Sequence, residues 1–422
     1  MLLGAIADDF TGATDLCSML VRGGMRTVQL IGVPKAGSPA PDADAVVVAL
    51  KSRTAPVRQA VDESLAALHW LQAAGARQFF FKYCSTFDST DEGNIGPVAD
   101  ALVQALGCGF ALACPAFPTN NRTVYLGYLF AGGVLLNESG MENHPLTPMK
   151  DANLVRVLSR QTDGTVGLVP FATVDQGAGP VRDAMTRLKE QGRRYAIVDA
   201  VTNAHLVSIG AAAAHHTLIT GGSGIAMGLP ANFRAAGLLP EATDPGALPV
   251  LDGATAVLAG SCSRATLAQL GFARDHLPVH EMDPLATPDA AALAETALAW
   301  AGGKVGEKPV VIAASAPPDK VAALQARLGR DHAGALIEDA VARVAAGLAE
   351  RGVRKMVVAG GETSGAVAKQ LGVTSLRIGD EIDPGVPWTL ASGSGPDMML
   401  ALKSGNFGGT DFFLKAFRML RP

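Results

Sequence analysis

Short apolar runs alternate with longer amphipathic stretches along the first 115 residues of the chain. The runs typical of buried strands are Leu3–Ala7, Thr27–Ile31, Ala45–Leu50, Phe79–Phe81 and Phe110–Cys114. Between the third and fourth runs, Val57, Val61, Leu65 and Leu68 recur at helical spacing and predict one apolar helix face. Apolar strands joined by helices favour a parallel sheet that is covered on both sides.

The same alternation continues through the rest of the chain. Gly167–Val169, Val181–Lys189 and Tyr195–Val198 predict a strand, a helix and a strand. Leu238–Gly253 is rich in proline and predicts a linker that also serves as a hinge. The strands predicted after it are Thr255–Ala259, Pro309–Ala314, Lys355–Ala359 and Met399–Leu402. We therefore predict an α/β protein with two α/β domains and mainly parallel sheets, residues 1–245 and 254–422.

The composition is that of a folded protein with small-molecule rather than polyanionic partners. The 422 residues are 48% hydrophobic and 18% charged, which is enough apolar material for two cores. A net charge of -4 and an aromatic content of 5% argue against nucleic acid as a partner. No apolar run approaches the ~20 residues of a membrane span, and the N-terminal run is too short for a signal peptide. The cysteines lack a CxxC spacing, so we expect a reduced, cytoplasmic protein.

Polar residues follow four predicted strands of the first domain at their carboxyl ends, where open α/β sheets bind ligands. The residues singled out there are Asp8, Asp9, Thr11, Arg53, Lys82, Ser85, Thr86, Asp88 and Asn94. Two cations among carboxylates and hydroxyls suit a small polyhydroxylated anion, with Arg53 and Lys82 on its carboxylate and the other side chains on its hydroxyls. The structural alternative is that Asp9 or Thr11 caps the helix beginning near Gly12 and that the serines and threonines form turns.

Glycine-rich loops follow three predicted strands of the second domain. Gly260–Ser263 and Gly360–Gly365 open helices, and Lys403–Gly409 follows the last strand. Because glycine lets backbone amides approach an anion, these loops predict a cradle for nucleotide phosphates. The alternative is that such turns are ordinary connections of α/β folds. The absence of a P-loop, a complete G-x-G-x-x-G after a strand and a G-x-S-x-G motif argues against those enzyme classes.

Several ordered motifs resemble the four-carbon acid sugar kinase family over essentially the whole chain. The matching stretches are Asp8–Ala13, Lys82–Val98, Gly360–Val367 and Leu402–Gly408. Arg122–Met149 and the late KSGNFGGTDFF segment are most similar to the branch of that family that acts on 3-oxo-tetronate. Other branches carry Asp-Ser-Thr-Leu-Arg-Gly-Asn, whereas Asp88–Asn94 has Glu92 in place of the arginine. The acid-recognition roles of those branches therefore do not carry over directly.

The resemblance implies a sugar-acid-binding domain over residues 1–245, a nucleotide-binding domain over 254–422 and an active site in the cleft between them. It implies that ATP phosphorylates the 4-hydroxyl of 3-oxo-tetronate, with D-threonate or D-erythronate as the alternative acceptor. The residues that it implies for ATP binding are Ser261, Ser263, Gly360, Gly361, Glu362, Thr363 and Gly405.

Phosphoryl transfer needs a carboxylate that accepts the proton of the attacking alcohol. Asp9 is the first choice, Asp88 the second and Asp8 the third; the alternative is that all three only bind hydroxyls. Mg²⁺ is expected with ATP, while its ligands and the formation of a homo-oligomer are left open. Two rival functions are an aspartyl-phosphate phosphatase, which needs a carboxylate where Phe10 stands, and a non-catalytic sugar-acid sensor.

Overall fold

The structure, a computed structural model, describes residues 1–35, 37–144, 146–241 and 244–420 of the chain. The chain divides into two compact units, Met1–Pro245 and Gly246–Pro422. The boundary falls within the stretch predicted as a linker and hinge, of which Ala242 and Thr243 lie outside the described residues. Each unit contains a mixed α/β fold, so the predicted fold class is confirmed.

Strands and helices alternate through the first unit as predicted. In chain order they are β1 (Leu3–Ala7), α1 (Phe10–Arg22), β2 (Thr27–Ile31), β3 (Ala45–Ala49), α2 (Val57–Ala73), β4 (Gln78–Lys82), α3 (Ile95–Leu106), β5 (Ala111–Cys114), β6 (Arg122–Tyr125), β7 (Tyr128–Ala131), β8 (Val134–Leu135), α4 (Leu154–Gln161), β9 (Val166–Val169), α5 (Phe171–Val174), α6 (Ala178–Glu190), β10 (Tyr195–Val198), α7 (Asn203–Ala212), β11 (Leu218–Gly221) and α8 (Leu229–Ala235).

The main sheet of this unit has the strand order β2-β3-β1-β4-β11-β5-β10-β9, and these neighbours pair in parallel. Strands β1, β3 and β4 are buried along their whole length, which explains why they are continuous apolar runs in the sequence. Strands β6, β7 and β8 form a separate antiparallel sheet that the apolar runs do not predict.

Helix α2 exists as predicted, but its buried face coincides only in part with the predicted apolar stripe, of which Leu68 is fully buried. Val57 is 42% exposed, whereas Ala60, Ser64 and Ala67 are fully buried. The helix runs close to β1, since a Cβ atom on Gly4 would lie 3.2 Å from the Cβ of Leu71. At such a short separation small side chains pack better than valines do, so the apolar stripe is a poor guide to the buried face.

The second unit combines parallel and antiparallel pairing. Its elements are β12 (Ala254–Ala259), α9 (Arg264–Arg274), β13 (Val279–Glu281), α10 (Ala290–Ala301), β14 (Val310–Ala313), α11 (Pro318–Leu328), α12 (Arg330–Glu350), β15 (Val353–Ala359), α13 (Gly361–Gln370), β16 (Val373–Asp383), β17 (Val386–Gly393), β18 (Met398–Lys403) and α14 (Phe412–Met419). The order is β13-β14-β12-β15-β18-β17-β16, with β16, β17 and β18 antiparallel.

The hairpin of β16 and β17 is absent from the predicted elements because its strands are not continuous apolar runs. Along β16, Leu376 and Ile378 are buried, while Thr374, Arg377 and Asp380 are exposed. This alternation is typical of an antiparallel strand with one solvated face. Among the described residues, none of the helices has both the length and the apolar character needed to cross a bilayer.

Candidate functional site

The carboxyl ends of β1, β3 and β4 bring predicted site residues of the first unit side by side. In the parallel register, Ala7 lies between Ala49 of β3 and Lys82 of β4. The N–H of Asp8 donates to the Lys82 carbonyl at 3.0 Å, and the Asp8 carbonyl accepts from the N–H of Ser52 at 3.0 Å. Because these strands end at one level, the polar residues that follow them meet at one edge of the sheet.

Arg53 is the centre of this cluster. Its Nε and Nη2 atoms each donate to a carboxylate oxygen of Asp8 at 2.9 Å, and Nη2 also donates to Asp9 at 2.7 Å. Its Nη1 atom lies 3.7 Å from a carboxylate oxygen of Asp88. One guanidinium therefore makes strong, charge-assisted hydrogen bonds to two carboxylates and lies within ion-pair distance of a third. A gap of about 10 Å³ separates it from Phe81 and Ile95.

Burial and the neighbouring cations have opposite effects on the pKa values of this cluster. Burial raises the pKa of Asp8, and the ion pair with Arg53 offsets that rise only in part. Burial also acts to raise the pKa of Asp9, but the charges of Lys82 and Arg53 outweigh it and the pKa falls below its ordinary value. Asp9 is therefore held as a carboxylate. Its side chain is 29% exposed, against 6% for Asp8 and 11% for Asp88, so it is the most accessible of the three.

The first turn of α1 joins Asp9 to Lys82. Asp9 is the N-cap of the helix and accepts from the N–H of Gly12 at 3.1 Å, so the capping alternative is realised. The same carboxylate oxygen lies 3.9 Å from Nζ of Lys82, a residue only 4% exposed. A Cβ atom on Gly12 would overlap both this Nζ atom and the Asp9 oxygen. A side chain at this position would therefore have to displace the lysine or the carboxylate from their present contact.

The loop after β4 has strained backbone beside Asp88. Phe87 has a φ of 50°, a left-handed conformation that is uncommon for a bulky residue. Its buried ring packs edge-on against Tyr83 at 5.4 Å between centroids, which stabilises this conformation. The hydroxyl of Thr86 donates to Asp88 at 2.5 Å and lies 2.9 Å from the thiol of Cys84. The strained backbone of Phe87 therefore lies between two predicted site residues, Thr86 and Asp88.

The remaining predicted substrate-binding residues have different surroundings. The side-chain amide of Asn94 donates to the carbonyls of Ser52 at 2.7 Å and Ala55 at 2.8 Å. It therefore supports the loop that carries the bridging arginine. Thr11 is exposed in the first turn of α1, and Ser85 is half-buried after β4.

Asp15 and Ser223 belong to the same neighbourhood, although no strand-end pattern predicts them. Asp15 lies on α1, and the hydroxyl of Ser223, in the turn after β11, donates to its carboxylate. Burial raises the pKa of Asp15, while the charge of Lys82 and this hydrogen bond oppose the rise. The sequence does contain one indication of this pair. Asp15 is a carboxylate among the apolar residues of an amphipathic helix, and a buried carboxylate rarely lacks a partner.

Asp199 is a further buried carboxylate of the first unit. It accepts the backbone N–H groups of Leu126 at 2.6 Å, Gly127 at 2.9 Å and Phe171 at 2.8 Å. Burial raises its pKa against these three bonds. Asp199 directly follows β10, as Asp8 follows β1, so its position at the carboxyl end of a strand would equally predict a ligand-binding residue. The partners of its carboxylate are all backbone amides, so it joins the turn between β6 and β7 to the start of α5.

The three glycine-rich loops of the second unit also start side by side. The N–H groups of Gly260 and Ser261 both donate to the carbonyl of Ala359 at 3.0 Å. The N–H of Gly360 donates to the carbonyl of Lys403 at 2.8 Å. The ends of β12, β15 and β18 are thus hydrogen-bonded to each other, and the predicted ATP loops leave from one edge.

Close packing between these loops depends on their glycines. A Cβ atom on Gly405 would overlap the hydroxyl of Ser261, and one on Gly260 would overlap the hydroxyl of Thr363. Gly360 has a φ of 134°, which L side chains rarely adopt. Ser263 caps α9 and donates to the carbonyl of Gly405 at 2.6 Å. The predicted nucleotide residues therefore form one contiguous group.

A cavity of about 730 Å³ opens beside these loops, within the size range of small-molecule sites. Gly260, Cys262, Glu362 and Thr363 line its loop side. Its other walls come from α11, α12 and the segments after β13 and β14, and the apolar residues there include Leu285, Val321, Leu324, Ala333 and Ile337. The volume suits a nucleoside, and the lining also includes charged residues, among them Arg274, Lys320 and Arg330.

No resident metal centre is built into the part of the chain that the structure describes. Within residues 1–35, 37–144, 146–241 and 244–420, no group of three or more His, Cys, Asp or Glu side chains is placed to hold a metal ion. The carboxylates of the Arg53 cluster lie around the guanidinium instead.

Comparison with known proteins assigns the same two parts. Residues 3–229 match the family model of a sugar-binding N-terminal domain, and residues 256–413 match that of a nucleotide-binding C-terminal domain. These two domains define the class of protein, one that combines a sugar-binding domain with a nucleotide-binding domain.

Curated relatives cover nearly the full chain. The chain is 59% identical over 419 residues to the 3-oxo-tetronate kinase of Burkholderia multivorans, which is 99% of this chain and 97% of that protein. It is 58% identical over 422 residues to the 3-oxo-tetronate kinase of Cupriavidus necator, with the same two coverages. The chain belongs to the four-carbon acid sugar kinase family, as its motifs predict.

Solved structures share the fold. A crystal structure of a Salmonella typhimurium LT2 protein has a TM-score of 0.93 and 44% identity, covering 99% of both chains. One of a Haemophilus influenzae protein has a TM-score of 0.87 and 45% identity, covering 99% of this chain and 100% of that one. The fold of this kinase is therefore shared along its whole length.

Proposed function

We propose that this kinase transfers the γ-phosphoryl group of ATP to the 4-hydroxyl of 3-oxo-tetronate and so forms 3-oxo-tetronate 4-phosphate. The observation that carries the proposal is the 59% identity, over 99% of the chain, to a protein named 3-oxo-tetronate kinase. The charged cluster of the first unit and the glycine loops of the second supply the two kinds of site that the reaction needs. In this proposal residues 1–245 bind the sugar acid and residues 254–422 bind ATP.

Asp9 is the proposed general base. In the reaction the 4-hydroxyl oxygen forms a bond to the γ-phosphorus, the bond from that phosphorus to the bridging oxygen breaks, and ADP leaves. The hydroxyl proton passes to the base late in this step, because the transition state is loose. Asp9 suits the role because it is ionised and is the most exposed carboxylate of its cluster. Asp88, at 11% side-chain exposure, is the second choice, and Asp8, tied to Arg53 by two hydrogen bonds, is the third.

The other residues of the first unit supply charge and hydrogen bonds to the acid. Lys82 and Arg53 provide the positive charge that its carboxylate or a phosphate oxygen requires, while Thr11, Ser85 and Thr86 provide hydroxyls. Asn94 contributes by holding the loop that carries Arg53, because its side-chain amide donates to the carbonyls of Ser52 and Ala55.

ATP is proposed to place its nucleoside in the cavity and its phosphates on the glycine loops. Gly360–Thr363 and Gly405 offer backbone amides, and Ser261 offers a hydroxyl. Ser263 contributes by holding the carbonyl of Gly405, to which its hydroxyl already donates. Mg²⁺ is proposed to arrive with the triphosphate, since it often keeps several waters and needs few protein ligands. When bound, it neutralises phosphate charge.

The test is a screen of ATP turnover against 3-oxo-tetronates, threonates and erythronates of both hands. We expect kcat/KM to be highest with a 3-oxo-tetronate and the product to be its 4-phosphate. A higher kcat/KM with D-threonate or D-erythronate would assign the enzyme to that alternative acceptor. Binding of an acid without ATP consumption under any condition would instead favour a sensor.

A further inference from the structure

One face of α9 holds the loop that follows β18. Ser263 and Thr266 donate to the carbonyl of Gly405 at 2.6 and 3.0 Å. The amide nitrogen of Gln269 donates to the carbonyls of Phe407 and Gly408 at 3.0 Å each. These three side chains are spaced three residues apart, so they lie along one side of the helix. All of them donate to backbone carbonyls of the loop.

Lys403, the last residue of β18, holds the same loop carbonyls through its side chain. Its side chain is fully buried, and its Nζ atom donates to Thr266 at 3.1 Å and to the carbonyls of Ser404 and Gly405 at 3.1 and 2.9 Å. All of these acceptors are neutral, although a buried lysine usually has a carboxylate partner. The carbonyl of Gly405 thus accepts from three side chains, and the ammonium group holds the loop without touching solvent.

These contacts orient the backbone N–H groups of the loop away from Lys403. In a planar trans peptide the C=O of one residue and the N–H of the next point in opposite directions. Because the carbonyls of Ser404 and Gly405 face Lys403, the N–H groups of Gly405 and Asn406 face away from it. Neither amide has a hydrogen-bond partner within the described part of the chain. Two adjacent outward amides form a ready site for an anion.

We propose that Lys403 is a positioning residue for ATP, which fixes the carbonyls of the loop after β18 so that the amides of Gly405 and Asn406 meet the phosphates. This inference rests on the proposed binding of ATP at the glycine loops. Lys403 itself is too deeply buried to touch the nucleotide, so its effect passes through the loop.

The environment of Lys403 also provides a pH readout. Burial lowers its pKa to about 8, and no charged neighbour contributes to that shift. The charged residues of the elements packed around it are exposed or lie at the far end of β15: Arg264, Arg274, Arg354, Lys355, Glu362 and Lys369. When Lys403 loses a proton, its amino group keeps only two of the three N–H bonds that hold Thr266 and the loop carbonyls. ATP affinity should therefore fall as the pH rises through this range.

The experiment measures ATP binding by calorimetry and the KM values for both substrates in Lys403→Met. We expect the Kd and KM for ATP to rise tenfold or more and the KM for the sugar acid to stay within twofold. The matched control is Lys369→Met, which removes an exposed lysine from α13 and should leave both values unchanged. ATP affinity should decline above a pH of about 8 in the wild type and stay level in Lys403→Met.

Thr266→Val provides a second variant if Lys403→Met does not fold. It keeps the side-chain volume, removes one donor from the Gly405 carbonyl and one acceptor from Lys403, and should raise the Kd for ATP severalfold. Unchanged ATP affinity in a folded Lys403→Met or Thr266→Val enzyme would overturn the inference while leaving the proposed kinase reaction intact. A wild-type enzyme that neither binds nor consumes ATP would refute the proposed reaction itself.

Discussion

The two candidate sites of this kinase are built from different chemical groups. In the first unit the functional groups are charged side chains, with one guanidinium on three carboxylates and Lys82 beside Asp9. In the second unit the loops present backbone amides, and Lys403 lies buried behind them. A site of paired charges should be sensitive to the loss of one charge. A site of backbone amides should be sensitive to added volume or to movement of the chain.

The largest expected effect is that of Asp9→Asn in the first unit. Asparagine caps a helix as well as aspartate does, so the fold of α1 should survive. Loss of the general base should lower kcat about a thousandfold, while the Kd for ATP should not change. Steady-state kinetics and calorimetry measure the two quantities. Turnover near the wild-type rate would remove Asp9 from the role, and a large loss in Asp88→Asn alone would transfer it to that residue.

The next effect concerns stability. Arg53→Gln leaves the buried carboxylate of Asp8 without its cation, so the free energy of unfolding should fall by about 3 kcal/mol at neutral pH. Denaturant unfolding measures this change. The control Arg58→Gln removes an arginine whose side chain is 95% exposed, and it should have an effect of less than about 0.5 kcal/mol. Equal stability of the two variants would show that the Arg53 cluster does not hold this sheet edge together.

A smaller effect is expected from added volume in the second unit. Gly405→Ala places a Cβ atom against the hydroxyl of Ser261, so either this hydroxyl, a proposed ATP contact, or the loop must shift. The Kd for ATP should rise about tenfold, equivalent to about 1.4 kcal/mol. Gly303→Ala, in the turn after α10, is the matched control because a Cβ atom there meets no atom within 4 Å. Identical ATP affinities in both variants would contradict a backbone site at Gly405.

The effect that develops most gradually is a pH dependence of stability caused by Lys403. Its pKa is about 8 in the folded protein and 10.5 in the unfolded chain, so the unfolded chain binds more protons between these values. The free energy of unfolding should therefore rise with pH in that interval, by at most about 1.4 kcal/mol per pH unit from this group. Lys403→Met should lack this contribution, which unfolding measurements on both proteins can separate. A constant difference between the two proteins across the interval would contradict the lowered pKa.

The sequence by itself determined the fold class and the strand ends at which polar residues collect. Runs such as Leu3–Ala7 and Ala45–Ala49 are identifiable because a strand buried on both faces must be apolar at every position. Asp8, Asp9 and Lys82 could be singled out because each follows or ends such a run. These are local features of the chain, so the printed residues are sufficient to predict them.

Only the tertiary structure decided how those residues are used. Arg53 joins Asp8 across 45 positions, and Asp15 meets Ser223 across 208. The buried face of α2 and the loop-holding role of Lys403 are equally long-range outcomes. Each depends on which strands are neighbours in the sheet and how closely a helix approaches them. The physical reason is that periodicity reflects only the chain's own geometry, whereas pairing, burial and the resulting pKa shifts depend on residues distant in sequence.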